Sequence, residues 1–273
     1  MLEVSRSAYY DWQTRPPSKR SLSNQAVLRD LTSLHQKYPA LGLDMLHQLV
    51  KPKHGCSRER VRRLMKQGNI QSVRKKAYKR TTNANHQSPI SPNLLMRNFA
   101  CVKPNSIWVG DITYIHTGEG WLYLAVVKDL CLKKVVGYAF STRINTQLVL
   151  DALYMAVRRQ KPSSGLIFHS DRGVQYASGD YRNALKRYGF IQSMSRKADP
   201  YDNAVAENFF SCLKCECVYL HHFVTRKDAQ CEIFRYIEGF YNSLRPHSGI
   251  GWMNPCAFER LLLRDSLRQT TTA

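Results

Sequence analysis

Acidic residues are scarce in this sequence, and their scarcity gives the first indication of what the protein binds. The 273 residues include 41 Lys and Arg but only 20 Asp and Glu, which leaves a formal net charge of +21. Such an excess is typical of proteins that bind an acidic polymer, and it favours nucleic acid over a membrane surface. The excess is uneven, because residues 1–100 carry a net charge of +14 and residues 101–273 carry +7.

Long apolar segments are also missing. No run of about 18 apolar residues occurs and the N-terminus lacks an apolar signal core, so we expect an intracellular protein without a membrane partner. The sequence contains no Gly-rich P-loop, which excludes that route to nucleotide binding. Its eight cysteines are not spaced like the disulfide framework of a small secreted domain, so reduced thiols are expected. Cys212 and Cys215 form a CxxC, but no second pair follows, which favours buried small side chains over a zinc site.

Three acidic residues stand at positions where a carboxylate needs a reason. Asp171 follows the short apolar run 166–168, which is typical of a buried strand that ends in a polar loop. Asp111 lies inside a stretch rich in Ile, Val, Thr and aromatic residues, where a carboxylate is costly unless it is paired or binds metal. Glu207 lies on a predicted helix that begins after a Pro-containing turn.

The spacing of these acids allows them to meet. The 35 residues between Asp171 and Glu207 leave room for a strand–helix–strand unit that brings the two carboxylates together. Three converging carboxylates suit divalent cations with oxygen ligands, and such a site serves two-metal phosphoryl transfer. Each acid alone also has an ordinary interpretation: an edge-strand charge for Asp111, a loop cap for Asp171 and a solvated helix residue for Glu207.

The residues around the three acids form motifs that resemble one known family. The motifs are W-x-x-D-I-T-Y at Asp111, H-S-D-R-G-x-Q-Y at Asp171 and D-N-A-x-A-E-x-F-F-x-x-L-K at Glu207. In this order and spacing they resemble the DDE transposases of the insertion-sequence-three family, in particular the OrfB protein with its retroviral-integrase-like catalytic core. The resemblance spans residues 1–260.

The element pattern and the resemblance together predict an α/β fold. We expect a ribonuclease-H-like mixed-sheet catalytic core, preceded by a small all-helical, helix-turn-helix-like module. Three meandering strands followed by alternating helices and strands come from the pattern, and the name of the fold comes from the resemblance. The predicted organisation is a helical DNA-binding module (1–70), a basic linker (71–104), an integrase-like core with C-terminal helices (105–263) and a tail (264–273).

The resemblance also implies an activity, cofactors and partners. It implies a transposase that cleaves 3′ ends and transfers the strand, with Asp111, Asp171 and Glu207 as catalytic residues that hold two Mg²⁺ or Mn²⁺ ions per active site. The implied partners are double-stranded DNA, as element ends and as target, further copies of the chain in a multimer on that DNA, and an upstream-frame DNA-binding protein, fused or separate. The implied location is the bacterial cytoplasm, in association with the nucleoid.

Basic residues that we expect to contact DNA are concentrated on the third predicted helix and just after it. That helix is capped by Ser57 and ends at Gly68. Its place in the module favours phosphate contact, although a run of charge is also typical of a solvated face. The candidate contacts are Arg58, Arg60, Arg62, Arg63 and Lys66 on the helix, and Arg74, Lys75 and Lys76 in the linker.

Further candidates lie near Glu207 and in the C-terminal part of the chain. Lys214 comes seven residues after Glu207, on nearly the same helix face, and can hold a DNA phosphate or simply face solvent. Asn203 can orient the carboxylate, contact DNA or cap the helix. Arg245 and His247 belong to a Y-N-x-x-R-x-H-S motif that resembles the family's, and both DNA contact and structural hydrogen bonding remain open for them.

Two other functions remain open on the sequence. A non-catalytic DNA-binding regulator, or a decayed transposase relative, would bind DNA without cutting it. A ribonuclease-H-like nuclease would cut DNA without joining it, and strand-transfer products would separate it from a transposase.

Overall fold

A computed structural model describes residues 5–73, 90–96, 101, 103–196 and 204–271. The chain divides into two compact units, Met1–Val73 and Arg74–Ala273. The predicted linker residues Arg74, Lys75 and Lys76, and the predicted cap Asn203, lie outside the described residues.

The first unit is helical in its described part. Serine side chains begin three of its helices, because the Ser5, Ser18 and Ser57 hydroxyls accept hydrogen bonds from backbone N–H groups of the first turns. The helix Leu43–His54 ends at Gly55, whose left-handed φ of 57° suits glycine. The helices are α1 (Arg6–Thr14), α2 (Lys19–Lys37), α3 (Leu43–His54) and α4 (Arg58–Gln67).

Apolar residues at helical spacing form the core of this unit. Val27 and Leu31 of α2 are fully buried, as are Leu46 of α3 and Val61 of α4. The predicted cap of α4 at Ser57 and its end at Gly68 are confirmed. Helix α4 therefore forms for the reason that the sequence indicates, which is an apolar stripe between a serine cap and a glycine end.

The second unit contains a five-stranded mixed sheet with strand order β3-β2-β1-β4-β5. The first three strands form an antiparallel meander, whereas β4 pairs with β1 and β5 with β4 in parallel. The strands are β1 (Ile107–Thr117), β2 (Gly120–Asp129), β3 (Val135–Ser141), β4 (Ile167–Ser170) and β5 (Ile191–Met194). This order is the predicted ribonuclease-H-like arrangement, and the predicted fold class is confirmed.

Helices complete the second unit. One face of the sheet packs on α5, α6 and α7 through a core that includes Trp108, Leu153, Phe168 and Tyr181, all fully buried. The helices are α5 (Thr146–Gln160), α6 (Val174–Ala177), α7 (Gly179–Arg187), α8 (Ala204–Glu216), α9 (Arg226–Phe234), its π-helical continuation Arg235–Tyr241, and α10 (Pro255–Thr271). Two short 3₁₀ turns cover Val218–Leu220 and Ser248–Ile250.

The helix caps of this unit agree with the sequence at most positions. Ser178 caps α7, and Thr225 with Asp228 forms a capping box at the start of α9. The side chain of Asn145 caps α5 by accepting a hydrogen bond from the N–H of Leu148 at 3.0 Å. Across the described ranges, none of the helices has both the length and the apolar composition that crossing a membrane would require.

Gly137 allows α5 to lie directly on β3. A Cβ atom at this position would lie 2.3 Å from the carbonyl oxygen of Ala152 and 2.7 Å from the backbone nitrogen of Ala156, both in α5. These atoms belong to the helix backbone, so they cannot move aside without shifting the whole helix. We therefore expect Gly137→Ala to lower the free energy of unfolding by about 1–3 kcal/mol, measured by urea denaturation.

Gly239→Ala is the matched control, since a Cβ there would meet no atom within 4 Å. It should leave the stability unchanged or raise it slightly. Equal stability of the two variants would show that α5 does not require this close approach.

Candidate active site

The parallel pairing of β1 with β4 brings two of the predicted catalytic acids to neighbouring strand positions. The last pair in this ladder joins Gly110 to Ser170. Asp111 and Asp171 are the next residues of the two chains, and both side chains are half-buried. Asp111, inside β1, and Asp171, just after β4, therefore both follow the carboxyl end of the β1–β4 ladder, and the carboxyl ends of strands are a common position for ligand-binding side chains in α/β folds.

Backbone N–H groups hold each of these carboxylates. An oxygen of Asp111 (Oδ1) accepts a hydrogen bond from the N–H of Ile112 at 2.7 Å. The corresponding oxygen of Asp171 accepts one from the N–H of Gly173 at 2.9 Å. Such bonds restrict the side-chain rotamers of the two acids.

A buried phenol lies close to both acids. Tyr176 in α6 is buried, and burial raises the pKa of its hydroxyl well above the ordinary value, with smaller contributions from Tyr181, Asp111 and Asp171. Gly110 leaves room for it, because a Cβ at this position would lie 2.6 Å from the Phe168 ring and 3.3 Å from the Tyr176 oxygen. Tyr176 therefore carries a neutral hydroxyl near the two carboxylates. The sequence did not indicate that Tyr176 would be buried near these acids.

Glu207 lies in the first turn of α8. The preceding residue, Ala206, is buried in a small apolar cluster with Val109 of β1 and with Leu130, and this cluster fixes α8 against the sheet. The Glu207 side chain is exposed, yet partial burial raises the pKa of its carboxyl. Among the described residues, no three His, Cys, Asp or Glu side chains lie close enough together to hold a metal ion. Asp111 and Asp171 are neighbours at the β1–β4 ladder, and Glu207 lies on a separate helix.

Lys214 reaches β1 from the same helix. Its ammonium nitrogen lies 5.0 Å from the centre of the Tyr114 ring. Partial burial lowers the pKa of Lys214, and the charge of Asp111 acts in the opposite direction. The face of α8 that carries Lys214 therefore turns towards β1 near Asp111, which brings a cation beside the predicted catalytic acids.

A buried ion pair anchors the far end of α8. Arg245 donates two hydrogen bonds from Nε and Nη2 to the carboxylate of Glu216, the shorter at 2.7 Å, and the two side chains are only 8% and 4% exposed. The Tyr236 hydroxyl donates a further bond to Glu216 at 2.8 Å. Of the two interpretations of Arg245, the structure therefore supports structural hydrogen bonding.

The residues before Arg245 connect α8 to the sheet. The side chain of Asn242 donates to the carbonyl of Val135 at 2.9 Å and accepts from its N–H at 3.0 Å, at the start of β3. The ring of Tyr241 packs edge-on against Phe209 of α8, with 4.8 Å between the ring centres. The Y-N-x-x-R segment thus joins α8, the helix of Glu207, to the edge strand β3.

Two more titratable groups lie in this buried region. Lys128 of β2 is buried, and burial lowers its pKa to about 7. Burial, together with the charges of Arg245 and Lys128, lowers the pKa of His247 to about 3. His247 is therefore neutral near pH 7, and it packs edge-on against the ring of Tyr241.

Several predicted DNA contacts in the first unit form hydrogen bonds within that unit. Arg58 pairs with Asp44 at 2.6 Å. Arg62 pairs with Glu59, three residues earlier in α4, at 2.9 Å. Arg60 donates to Asn24 and Ser23, both at 2.8 Å. Arg63 and Lys66 are exposed and form no ion pair with any residue that the structure describes.

Two integrase core domain models match the chain, one over residues 102–200 and the other over residues 188–255. These matches include Asp111, Asp171 and Glu207 together with the sheet that carries the two aspartates. The fold and the site therefore define a protein of the integrase-core class.

Similar proteins of nearly equal length narrow this class. The chain is 42% identical over 257 residues to a 31 kDa protein of insertion element IS600 from Shigella sonnei, across 93% of this chain and 94% of that protein. It is 38% identical over 265 residues to the transposase InsF of insertion sequence IS3A from Escherichia coli K12, across 95% and 91% of the two. The chain belongs to the IS3-family insertion-sequence transposases, and the resemblance inferred from the motifs is confirmed.

Solved structures show a weaker likeness. A chain of the simian T-cell lymphotropic virus intasome is 18% identical with a TM-score of 0.47, across 80% of this chain and 70% of that one. The catalytic core of BIV integrase is 17% identical with a TM-score of 0.42, across 60% and 99%. The fold assignment rests on the strand order and on the integrase core match, not on these similarities.

Breaking the Glu216–Arg245 pair should destabilise the second unit strongly. Arg245→Ala leaves the Glu216 carboxylate buried without its cation, at a cost of about 3–5 kcal/mol in the free energy of unfolding. The double variant Arg245→Met with Glu216→Gln removes both charges and keeps an acceptor for Tyr236, so it should recover most of this loss. Urea denaturation of the single and double variants measures the difference, and additive losses would contradict a coupled pair.

Lys128 should make the stability depend on pH. Its pKa is about 7 in the folded protein against 10.5 ordinarily, so the unfolded chain binds more protons between these values and the free energy of unfolding rises with pH across that range. The rise is worth roughly 1.4 kcal/mol for each unit of pKa difference. In Lys128→Met this contribution disappears, and the variant should be the more stable protein at pH 7. Parallel stability curves for the two proteins between pH 6 and pH 10 would contradict it.

Proposed function

We propose that the protein cleaves the 3′ ends of its DNA element and joins them to target DNA, with Asp111, Asp171 and Glu207 as the catalytic residues. The observation that carries this proposal is the register of β1 and β4, in which Asp111 and Asp171 both directly follow the last residue pair of the ladder. Membership of the IS3-family transposases supports the same reaction.

The donor set suits divalent metal ions. Carboxylate oxygens are the ligands that Mg²⁺ and Mn²⁺ prefer, and Asp111 and Asp171 both lie close enough to Tyr176 for their charges to raise its pKa. Glu207, from the first turn of α8, is the proposed third ligand. When bound, two such ions would lower the pKa of a water or hydroxyl nucleophile and stabilise the leaving oxygen.

The residues of the chain would hold and orient the DNA around this centre. Lys214, half-buried and beside β1, is placed to bind a phosphate next to the acids. Tyr176 keeps its proton and can donate a hydrogen bond to one of the aspartates, which would hold that carboxylate in place. The reaction requires no covalent bond between protein and DNA, because a 3′-hydroxyl attacks the target phosphodiester directly.

The first unit would bind DNA through its basic helix α4. Arg63 and Lys66 are the contacts with the fewest competing interactions, whereas Arg58, Arg60 and Arg62 would exchange hydrogen bonds within the unit for phosphates. Arg74, Lys75, Lys76 and Asn203 are proposed as further DNA contacts on sequence grounds alone. We also propose that several copies of the chain assemble on the two element ends, with or without an upstream-frame partner.

Asp171→Asn should abolish both cleavage and joining. With a supercoiled plasmid that carries the element ends and Mg²⁺, the unaltered protein should give nicked and joined products that gel electrophoresis resolves. The variant removes one negatively charged ligand, for which we expect a loss of at least about 100-fold in rate. Glu207→Gln should behave alike, and Asp151→Asn, which alters an exposed acid on α5, should remain active.

A second measurement tests the metal site without relying on turnover. Binding of Mn²⁺, followed by the loss of the free-ion signal in electron paramagnetic resonance, should weaken in Asp171→Asn and stay unchanged in Asp151→Asn. Full activity of Asp171→Asn would contradict the assignment. DNA binding by the unaltered protein without any cleavage would instead support a non-catalytic regulator, and cleavage without joining would support a nuclease.

A further inference from the structure

A β-hairpin projects past the end of β4, on the side where the two aspartates lie. The β1–β4 ladder ends at Gly110 and Ser170, but β1 continues to Thr117 and pairs with β2 along its whole remaining length. Because β3 pairs with β2 from Tyr123 onward, only residues 115–117 and 120–122 of the described sheet form a two-stranded tip, and Asp111 lies further back in the same strand β1. The tip pair His116 and Trp121 lies about 16 Å along the strand from Asp111.

The hairpin carries a cluster of aromatic rings on one face. Trp121 lies directly across from His116, with 5.2 Å between ring centres, and diagonally from Tyr114 at 5.0 Å. The indole stands almost perpendicular to both neighbours, at 84° to Tyr114 and 82° to His116, so neither ring is stacked parallel on it. Trp121 is 44% exposed, which is a large apolar area for a strand residue.

The tip of the hairpin is held firmly by the segment between α8 and α9. The N–H of Gly118 donates to the carbonyl of Phe223 at 2.9 Å. The guanidinium of Arg226 donates to the carbonyls of Trp121 at 3.1 Å and Glu119 at 2.5 Å. An exposed tryptophan on a braced element loses little conformational freedom on binding, which favours its use as a contact residue.

Positive charge adjoins the aromatic cluster. Lys214 lies over the Tyr114 ring, and the charge of Asp111 acts on its ammonium group. Aromatic rings next to a cation are typical of surfaces that bind unpaired nucleotides, because bases stack on the rings while the cation holds a phosphate. The overall charge of +21 further favours a nucleic acid over a protein or a neutral ligand at this surface.

We propose that Trp121 on the β1–β2 hairpin binds the base of an unpaired nucleotide in the DNA strand that enters the active site, with Lys214 holding the neighbouring phosphate. The inference rests on the proposed function for the identity of the substrate, and it adds a base-binding site to the acids. Stacking depends on the face that all four bases share, so the site would accept any base. It would hold a DNA end open while the strand is cut or transferred.

The test compares two single-stranded probes that differ only in their bases. A fluorescently labelled oligo-dT of about 12 nucleotides and an abasic oligomer of the same length present the same phosphates. Fluorescence anisotropy with the full chain, at one salt concentration and without divalent metal, gives the affinity for each. We expect the unaltered protein to bind oligo-dT about tenfold more tightly than the abasic probe.

The variants separate stacking from electrostatic attraction. Trp121→Ala should lose the preference for oligo-dT, whereas Trp121→Phe should retain most of it. Lys214→Ala should weaken binding of both probes. Trp252→Ala, which removes another exposed tryptophan of the same unit, should keep the preference unchanged. Circular dichroism verifies that Trp121→Ala remains folded; if it does not, Trp121→Leu, which keeps apolar volume without an aromatic ring, should lose the preference in its place.

Two outcomes would overturn the inference: equal affinity of the unaltered protein for both probes, or a preference that survives in Trp121→Ala. Neither depends on catalysis. If the unaltered protein never cuts DNA but Trp121→Ala loses the base preference, the base-binding site is supported and the proposed function fails. If the unaltered protein cuts and joins DNA but shows no base preference, the proposed function is supported and the base-binding site fails.

Discussion

The parallel pairing of β1 with β4 is the constraint on which the candidate site depends. Backbone hydrogen bonds fix the register, which sets Asp111 and Asp171 at neighbouring positions of the sheet edge that β4 leaves. The absence of a side chain at Gly110 is part of the same constraint, because the Phe168 ring occupies the space where a Cβ would lie. Asp111 is then carried by the central strand of the sheet, and Asp171 by the residue that directly follows β4.

The third acid is supported in a different way. Glu207 and Lys214 belong to α8, whose position depends on apolar contacts near its start and on the buried Glu216–Arg245 pair at its end. Side-chain networks of this kind tolerate less substitution than a strand ladder does, because removing one partner leaves the other buried and uncompensated. The site therefore combines two acids fixed by the backbone with a helix fixed by side chains.

The sequence predicted the features that depend on local chemistry. Serine caps, the glycine end of α4 and the strand that precedes Asp171 all appear where pattern and composition placed them. It could not predict the features that depend on distant partners. Arg245 gave equal support to DNA contact and to structural bonding until Glu216 was found beside it, and nothing local indicated that Lys128 is buried. The convergence of Glu207 with the two aspartates stays a prediction, since neither family membership nor sheet order tests it.

The buried pair between α8 and the Y-N-x-x-R segment also has an evolutionary consequence. Glu216 and Arg245 lie 29 positions apart in the chain, yet losing either alone strands a charge in the interior. Related proteins that remain folded should therefore keep both residues or have replaced both of them. In an alignment of related transposases, the positions of Glu216 and Arg245 should therefore covary. Such covariation would identify the buried ion pair, whereas conservation alone would identify only a motif.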